Sequence, residues 1–335
     1  MDFQRIVSAD EELLIELLDR QDELAPAPGE GGLESFGGGV DSLSGGLDRM
    51  REGTYVEGED PGVEAIVRRF TRPVFLVQDS TVTPPADSAT FAGGESAVIE
   101  SRMHDAEAFL KVAIPSVGRI DLANHAMDWC GTGWMVHPEI AVTNRHVAEL
   151  FAAADGSAFP FRAAEGGRFV KASIDWRREY ARPGEAVVRV EEVLWIEPDG
   201  GPDLALLRVR ASDEDGNPAP VPITLMSQAD VDDSVGSWVS VIGYPAQSPY
   251  NDLADQQRIF DGIYGVKRVA PGAVMAVTPD GRLHHDATTL GGNSGSVVMD
   301  MVTGQAVGLH FGGFEGDRNM AVQAPVVADR LATLV

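Results

Sequence analysis

The chain of 335 residues is long enough for one or two domains with a sizeable apolar core. Hydrophobic residues make up 44% of the sequence, which is typical of a globular protein rather than a disordered one. With 26 Lys and Arg residues against 52 Asp and Glu, the formal net charge is −26. This charge argues against nucleic acid or an anionic membrane as a primary partner, because phosphate groups require a basic surface.

Residues 1–62 form the first predicted unit, an acidic helical segment followed by a linker. A helix is expected over 3–24, where a capping-box pair precedes an apolar stripe of Leu14, Leu17 and Leu18. Residues 25–62 lose this periodicity and are rich in Gly, Pro, Asp and Glu, so they predict a flexible linker. The helix is either a frayed terminal extension or an element that docks a partner protein, and the sequence leaves both interpretations open.

Residues 63–116 are expected to form a helix–strand–helix extension that packs on the domain after it. Pro61 suits the first position of a helix that continues over 63–70. A short apolar run predicts a strand over 74–77, and a second helix is expected over 96–112. This segment does not resemble a propeptide built for a single cleavage.

Residues 117–335 are predicted to form a mainly β domain. Short apolar runs punctuated by Gly, Pro and Asp predict many strands, which favours a barrel or a sandwich over alternating βα units. The predicted strands include 133–136, 140–143, 187–196, 204–209, 238–242, 273–277, 295–299 and 306–310. A proline again opens a pattern at the end of the domain, which predicts a closing helix over 325–334.

Three features of the sequence predict a cytoplasmic protein. The N-terminal residues contain no basic stretch followed by an apolar core, so we expect no secretory signal. No run approaches the roughly 18 apolar residues that span a bilayer. Cys130 is the only cysteine, so an intramolecular disulfide is impossible, and we expect this thiol to be structural.

The most informative motif is a serine between glycines, Gly292-Asn293-Ser294-Gly295-Ser296, placed before an apolar strand. Glycines allow a sharp turn and a close approach of a substrate carbonyl to the backbone amides. A serine hydroxyl is a poor nucleophile unless a base and an orienting acid are nearby. Candidates are His146, which follows a predicted strand, and Asp203, which precedes one.

The order of the three candidates along the chain restricts the fold. His146, Asp203 and Ser294 follow the order of the chymotrypsin-like two-barrel proteins. An α/β-hydrolase would place the serine in Gly-x-Ser-x-Gly, with the acid and the histidine after it. Here Ser296 occupies the position of the second glycine, and the strand pattern is not α/β.

Three blocks of the sequence resemble the trypsin-like serine peptidases, and among them the bacterial glutamyl endopeptidases and their intracellular relatives. The blocks span 131–147, 203–207 and 291–296, and the resemblance covers roughly 117–335. It implies two six-stranded antiparallel β-barrels. It also implies a bacterial serine endopeptidase in which His146 is the base, Asp203 orients it, and Ser294 attacks the peptide carbonyl. The backbone N–H groups of Gly292 and Ser294 would form the oxyanion hole.

The same resemblance suggests a preference for an acidic residue before the cleaved bond. Thr289 and His310 match the threonine and the histidine that bind the acidic side chain in glutamyl endopeptidases, and both can donate to a carboxylate. Leu290 is the third expected pocket residue, although it departs from the threonine-like residue of that family. Asp286 is too far from Ser294 to match the pocket acid of trypsin, and His310 could instead be a buried core histidine.

No cofactor or metal is expected. His284 and His285 are adjacent, and neighbouring side chains of a strand point to opposite faces. The chain has no glycine-rich phosphate loop followed by Lys and Ser or Thr. A periplasmic heat-shock protease would carry a peptide-binding domain, for which too few residues follow Ser294. The competing non-enzyme hypothesis is a catalytically silent protease fold that recruits a partner through residues 1–62.

Overall fold

The computed structural model describes residues 72–83, 93–213, 215–248, 251–314 and 318–335. The helix expected over 3–24, the linker over 25–62 and the helix over 63–70 lie outside the described residues. Within them, no helix has the length and apolar content needed to cross a bilayer.

The described chain begins with a small hairpin and two helices. Strand β1 (Phe75–Gln78) pairs with β2 (Thr81–Thr83) through a turn, and helices α1 (Gly93–Asp105) and α2 (Glu107–Ala113) follow. The sequence predicted one helix over 96–112. The structure divides it at Ala106, where ψ is −3°, although the apolar stripe continues on both sides with Ile99, Met103, Leu110 and Ala113 buried.

The first barrel follows a short 3₁₀ turn, Ile114–Ser116. Its six antiparallel strands close in the order β3-β4-β5-β8-β7-β6. They are β3 (Val117–Ala123), β4 (Trp129–His137), β5 (Ile140–Thr143), β6 (Lys171–Asp175), β7 (Val187–Ile196) and β8 (Ala205–Val209). A one-turn helix, α3 (Arg145–Ala148), comes directly after β5. Inward-facing apolar side chains, among them Ile120, Met135, Ile174 and Leu207, fill this barrel.

The second barrel is built from the rest of the chain. Its strands are β9 (Trp238–Gly243), β10 (Arg268–Val277), β11 (Arg282–His285), β12 (Val297–Asp300), β13 (Ala306–Phe314) and β14 (Arg318–Gln323). They are hydrogen-bonded in the order β11-β14-β13-β12-β9-β10, and the pairing of β10 with β11 closes the barrel. Strand β10 begins five residues before the predicted strand. Pro271 is a residue that usually interrupts a strand, but here the strand continues through it, with Pro271 opposite Ser240 of β9.

Among the described residues, three helices complete the second half. Helices α4 (Gln228–Asp232) and α5 (Leu253–Phe260) precede strands of the barrel, and α6 (Ala324–Leu331) ends the fold. The hairpin of β1 and β2 extends the sheet of this barrel, because β1 pairs with β10. The expected architecture of two six-stranded antiparallel barrels with a C-terminal helix is therefore confirmed.

A buried lysine ties the hairpin to the barrels. Nζ of Lys267 donates to the carbonyls of Ile114 and Trp176, both at 2.8 Å, and lies 3.8 Å from Oε1 of Glu179. Glu179 in turn accepts a hydrogen bond from the backbone N–H of Ser80 in the hairpin turn. Burial lowers the pKa of Lys267 to about 8, with the nearby charge of Glu179 opposing this change.

Candidate active site

His146 is placed by the end of a barrel strand. Strand β5 ends at Thr143, Asn144 has an extended backbone, and α3 then turns the chain so that His146 lies in its first turn. The imidazole is 10% exposed, so it is sheltered without being sealed from solvent. This position allows a base to reach both a partner in the barrel and a molecule outside it.

Asp203 comes from the loop before β8 and lies beside His146. Strands β5 and β8 pair with Thr143 opposite Ala205, so their ends bring the two residues together. Oδ2 of Asp203 lies 2.6 Å from Nδ1 of His146, and Oδ1 accepts the backbone N–H of His146 at 3.1 Å. The carboxylate therefore fixes both the ring and the backbone of the histidine.

The environment of Asp203 keeps it charged. Burial is the largest influence and acts to raise the pKa of this carboxyl group. The charge of His146, its two hydrogen bonds and the nearby Arg145 together outweigh burial, so the pKa of Asp203 lies below its ordinary value. An ionised carboxylate at Nδ1 directs the other ring nitrogen, Nε2, away from Asp203 and makes it available as a proton acceptor.

Asn144 is a contributor that the sequence did not reveal. This fully buried residue donates from Nδ2 to the backbone carbonyl of Asp203 at 2.9 Å. It anchors the loop that carries the acid to the helix that carries the base. Its only sequence signal is its position two residues before His146, which does not indicate its partner.

The loop that carries Ser294 depends on glycine at two positions. Gly292 has φ +89° and Gly295 has φ +87°, in the region that favours glycine. A Cβ at Gly295 would lie 2.0 Å from the carbonyl oxygen of Thr132 and 2.6 Å from Oγ1 of Thr143. The second barrel therefore brings this loop into backbone contact with the first.

Thr132 of β4 holds the loop, and the sequence did not identify this role. Its backbone N–H donates to the carbonyl of Ser294 at 2.9 Å, and its hydroxyl donates to the carbonyl of Gly292 at 2.9 Å. A Cβ added at the neighbouring Gly131 would lie 3.0 Å from both the carbonyl oxygen of Ser294 and the side chain of Val147. Ser294 is thus held close to the residue that follows His146.

The backbone of the loop is also fixed within its own barrel. The carbonyl of Gly291 accepts the N–H of Ala246 at 2.5 Å, and the N–H of Asn293 donates to Leu290 at 3.1 Å. Because the C=O and N–H of one trans peptide point in opposite directions, the N–H of Gly292 is directed away from Ala246. This orientation is compatible with an oxyanion hole formed by Gly292 and Ser294.

The expected pocket residues differ in their surroundings. His310 lies on β13, and its backbone pairs with the nucleophile loop, because its N–H donates to Ser296 and its C=O accepts from Gly295, both at 2.9 Å. Thr289 is fully buried, and its Oγ1 has no hydrogen-bond partner among the described residues. Leu290 is also fully buried, and it packs in the apolar core of the second barrel with Ile259 and Phe260.

His285 is a further residue that sequence reasoning placed in no pocket. It is fully buried, and its Nε2 lies 3.1 Å from Nδ1 of His310, with the two rings edge to face. Burial, followed by the nearby His310 and His284, holds the pKa of His285 well below its ordinary value. A neutral imidazole therefore lies directly behind His310, on the side opposite Nε2 of that residue.

The described residues provide neither a metal site nor a reactive cysteine. Within the described ranges, no group of three or more His, Cys, Asp or Glu side chains could hold a metal ion. Cys130 is fully buried in β4, and burial raises the pKa of its thiol well above the ordinary value. This environment disfavours a reactive thiolate.

The chain combines two antiparallel barrels, a partly buried His–Asp pair and a glycine-bounded serine loop held between the barrels. These features define a chymotrypsin-like serine hydrolase. The model of the trypsin-like peptidase domain matches residues 131–309. A "Probable serine protease" from Lysobacter enzymogenes is 30% identical over 299 residues, which cover 80% of this chain and 74% of that protein. The chain therefore belongs to the trypsin-like peptidase family. It is a peptidase whose substrates are proteins or peptides.

Two more distant similarities cover part of the chain. A glutamyl endopeptidase from Staphylococcus epidermidis is 29% identical over 125 residues, which cover 37% of this chain and 38% of that protein. The crystal structure of the serine endoprotease from Yersinia pestis is 17% identical, with a TM-score of 0.45, and the match covers 68% of this chain and 66% of that one.

Proposed function

We propose that this chain is a serine endopeptidase in which Ser294, His146 and Asp203 act as the catalytic triad. The observation that carries the proposal is the contact of 2.6 Å between Nδ1 of His146 and Oδ2 of Asp203. The ionised carboxylate holds the imidazole with its proton on Nδ1, so that Nε2 acts as the proton acceptor. The Thr132 hydrogen bond to the Ser294 carbonyl supports the placement of the serine beside this pair.

The reaction follows from these positions. Oγ of Ser294 attacks the carbonyl carbon while its proton passes to Nε2 of His146. The oxyanion that forms accepts hydrogen bonds from the N–H groups of Gly292 and Ser294, and one such donor contributes about 3 kcal/mol in comparable sites. The imidazolium then gives its proton to the leaving amine. Water, deprotonated by the same histidine, hydrolyses the acyl-enzyme.

A fluorophosphonate probe tests the nucleophile. The wild-type chain should be modified on Ser294, and the Ser294→Ala variant should lose both labelling and peptide hydrolysis. Ser296→Ala is the matched control, because this neighbouring serine is fully buried and its hydroxyl lies 3.4 Å from the side chain of Asn293. If the folded wild-type protein is not labelled and hydrolyses peptides no faster than Ser294→Ala, the alternative of a catalytically silent interaction module replaces the proposal.

We further propose that the enzyme prefers an acidic residue before the cleaved bond, with His310 and Thr289 as donors to that side chain. One proton lies in the contact of 3.1 Å between Nε2 of His285 and Nδ1 of His310, and either ring can carry it. We propose the arrangement in which Nε2 of His285 donates this proton, because His310 then carries its own proton on Nε2, where a substrate carboxylate can accept it.

Peptides that differ only in the residue before the cut test this preference. We expect Glu or Asp to be favoured, and the preference to be lost in His310→Ala. Thr289→Val, which keeps the shape of the side chain, should weaken it. A wild-type preference for Arg or Lys would overturn the pocket assignment and leave the triad untouched.

We also propose that the enzyme acts in the bacterial cytoplasm on a protein substrate, without nucleic acid or membrane, and that residues 1–62 recruit a partner. The net charge of −26 and the single cysteine support this setting. Fractionation of the native host should place the protein in the soluble cytoplasmic pool. Capture of the same partner by Ser294→Ala with and without residues 1–62 would contradict recruitment through that segment.

A further inference from the structure

Arg72 forms a buried ion pair with the segment that leads into the nucleophile loop. Its Nη2 lies 2.7 Å from Oδ2 of Asp286, and the two side chains are 6% and 5% exposed. The guanidinium also lies over the ring of Trp238, 4.7 Å from the ring centroid. Because removal of one partner from a buried ion pair leaves an uncompensated charge, each of the two residues requires the other.

Residues 286–290 are fully or almost fully buried although they belong to no strand, so other contacts must hold them. Asp286 uses its second oxygen, Oδ1, to accept the N–H of Ala273 on β10 at 2.6 Å. The hydroxyl of Thr288 donates to the backbone carbonyl of Arg72 at 3.1 Å. Arg72 therefore contacts this segment twice, with its side chain at Asp286 and with its backbone at the residue before Thr289.

Arg72 is itself firmly attached to the second barrel. Two residues further on, the carbonyl of Val74 accepts a hydrogen bond from Nη1 of the buried Arg268 at 3.3 Å. Strand β1 then pairs with β10, with Phe75 opposite Val269. The ion pair is thus made from a fixed position and can transmit that position to residues 286–289.

We propose that Arg72 is a positioning residue for the side-chain pocket of the enzyme. It holds residues 286–289 so that the hydroxyl of Thr289 faces the site that a substrate side chain enters. The inference rests on the proposed pocket, and it places a determinant of specificity outside residues 131–309, the part that matches the family domain. Its ion pair with Asp286 and its hydrogen bond with Thr288 both lie before the nucleophile loop, so its removal should affect binding of the substrate side chain rather than the chemical step.

Three variants of the full chain test this role. Arg72→Met removes the charge, Arg72→Lys keeps it without the planar group, and Arg72→Met with Asp286→Asn also removes the partner charge. We expect Arg72→Met to raise KM for a peptide with Glu before the cut by about tenfold or more, as misplacement of a binding group does. Its kcat and its rate of fluorophosphonate labelling should change by less than about threefold. Arg72→Lys and the double variant should recover part of the loss.

Arg210→Met is the matched control, because it removes an exposed ion pair of 3.0 Å to Glu191 on the first barrel. This variant should bind the peptide as the wild type does. Amide hydrogen exchange adds a measurement that needs no activity. Exchange in residues 286–292 should become faster in Arg72→Met and stay unchanged in Arg210→Met.

Two outcomes would overturn the inference. The first is a folded Arg72→Met variant with wild-type KM and wild-type exchange in residues 286–292. The second is an equal loss of labelling and peptide cleavage, which would place the effect in the triad. If Arg72→Met does not fold, Arg72→Lys and the double variant decide by the same measurements. An unlabelled wild-type protein would refute the proposed function, while hydrogen exchange would still decide whether Arg72 orders the segment.

Discussion

Replacing Thr132 by valine should damage the nucleophile loop from the opposite barrel. The substitution keeps the shape of the side chain and removes one hydroxyl. That hydroxyl donates to the carbonyl of Gly292 at 2.9 Å and accepts the N–H of Tyr244 at 3.3 Å, and Thr132 itself is fully buried. The backbone bond from Thr132 to the Ser294 carbonyl does not depend on the side chain.

The magnitude follows from two buried backbone groups that lose a partner. Each such group costs about 1–3 kcal/mol, so the free energy of unfolding should fall by about 2–6 kcal/mol. The released carbonyl also lets Gly292 shift, and the N–H of this residue is one of the proposed oxyanion donors. Loss of a donor lowers kcat by about 10² to 10³, and a displaced donor should cost about tenfold.

Urea unfolding followed by tryptophan fluorescence, together with kcat on a chromogenic peptide, measures both effects. Thr333→Val is the control, since its exposed hydroxyl donates only locally to the carbonyl of Arg330 at 2.7 Å, and it should change stability by less than about 0.5 kcal/mol. The reasoning is refuted if Thr132→Val is no less stable than Thr333→Val and turns over at the wild-type rate. A loss of stability without a loss of kcat would separate Thr132 from catalysis.

Four other substitutions have defined outcomes. Gly295→Ala should lower the free energy of unfolding by more than about 4 kcal/mol or prevent folding, because its Cβ would meet the Thr132 carbonyl. Gly291→Ala should lower it by less than about 1 kcal/mol, because nothing lies within 4 Å of the added Cβ. Thermal melting compares the two variants. Asp203→Asn should lower kcat by about 10⁴ without unfolding the protein, and a smaller effect than tenfold in stopped assays would contradict its role. In the folded protein the pKa of Lys267 is lowered to about 8, from the ordinary value of 10.5 that it has in the unfolded chain. Between these two pH values the unfolded chain binds more protons than the folded one. The free energy of unfolding should therefore rise with pH in this range, by up to about 3 kcal/mol. Lys267→Met should lack this gain in urea unfolding from pH 7.5 to 10.5; an equal slope in both proteins would assign it to other groups.

Much of the fold could be predicted because it depends on local pattern. Strand β7 has the bounds that the sequence predicted, 187–196, since apolar residues recur along its whole length and only exposed charged residues interrupt them. Strand β10 was predicted too short, because Pro271 is normally excluded from a strand and only its neighbours in the barrel accommodate it. The break at Ala106 between α1 and α2 likewise leaves the apolar stripe unchanged, so the pattern could not reveal it.

The candidate site divides in the same way. The candidate nucleophile, base and acid could be predicted from residue type, flanking glycines and chain order alone. The folded structure was needed to show that His146 and Asp203, 57 positions apart, share a hydrogen bond, and that Thr132 holds a loop 160 positions away. It also placed His285 behind His310, and Arg72 against Asp286 across 214 positions. Such contacts depend on the closure of two barrels and on their packing, which bring together side chains whose own neighbours in the sequence give no sign of the partner.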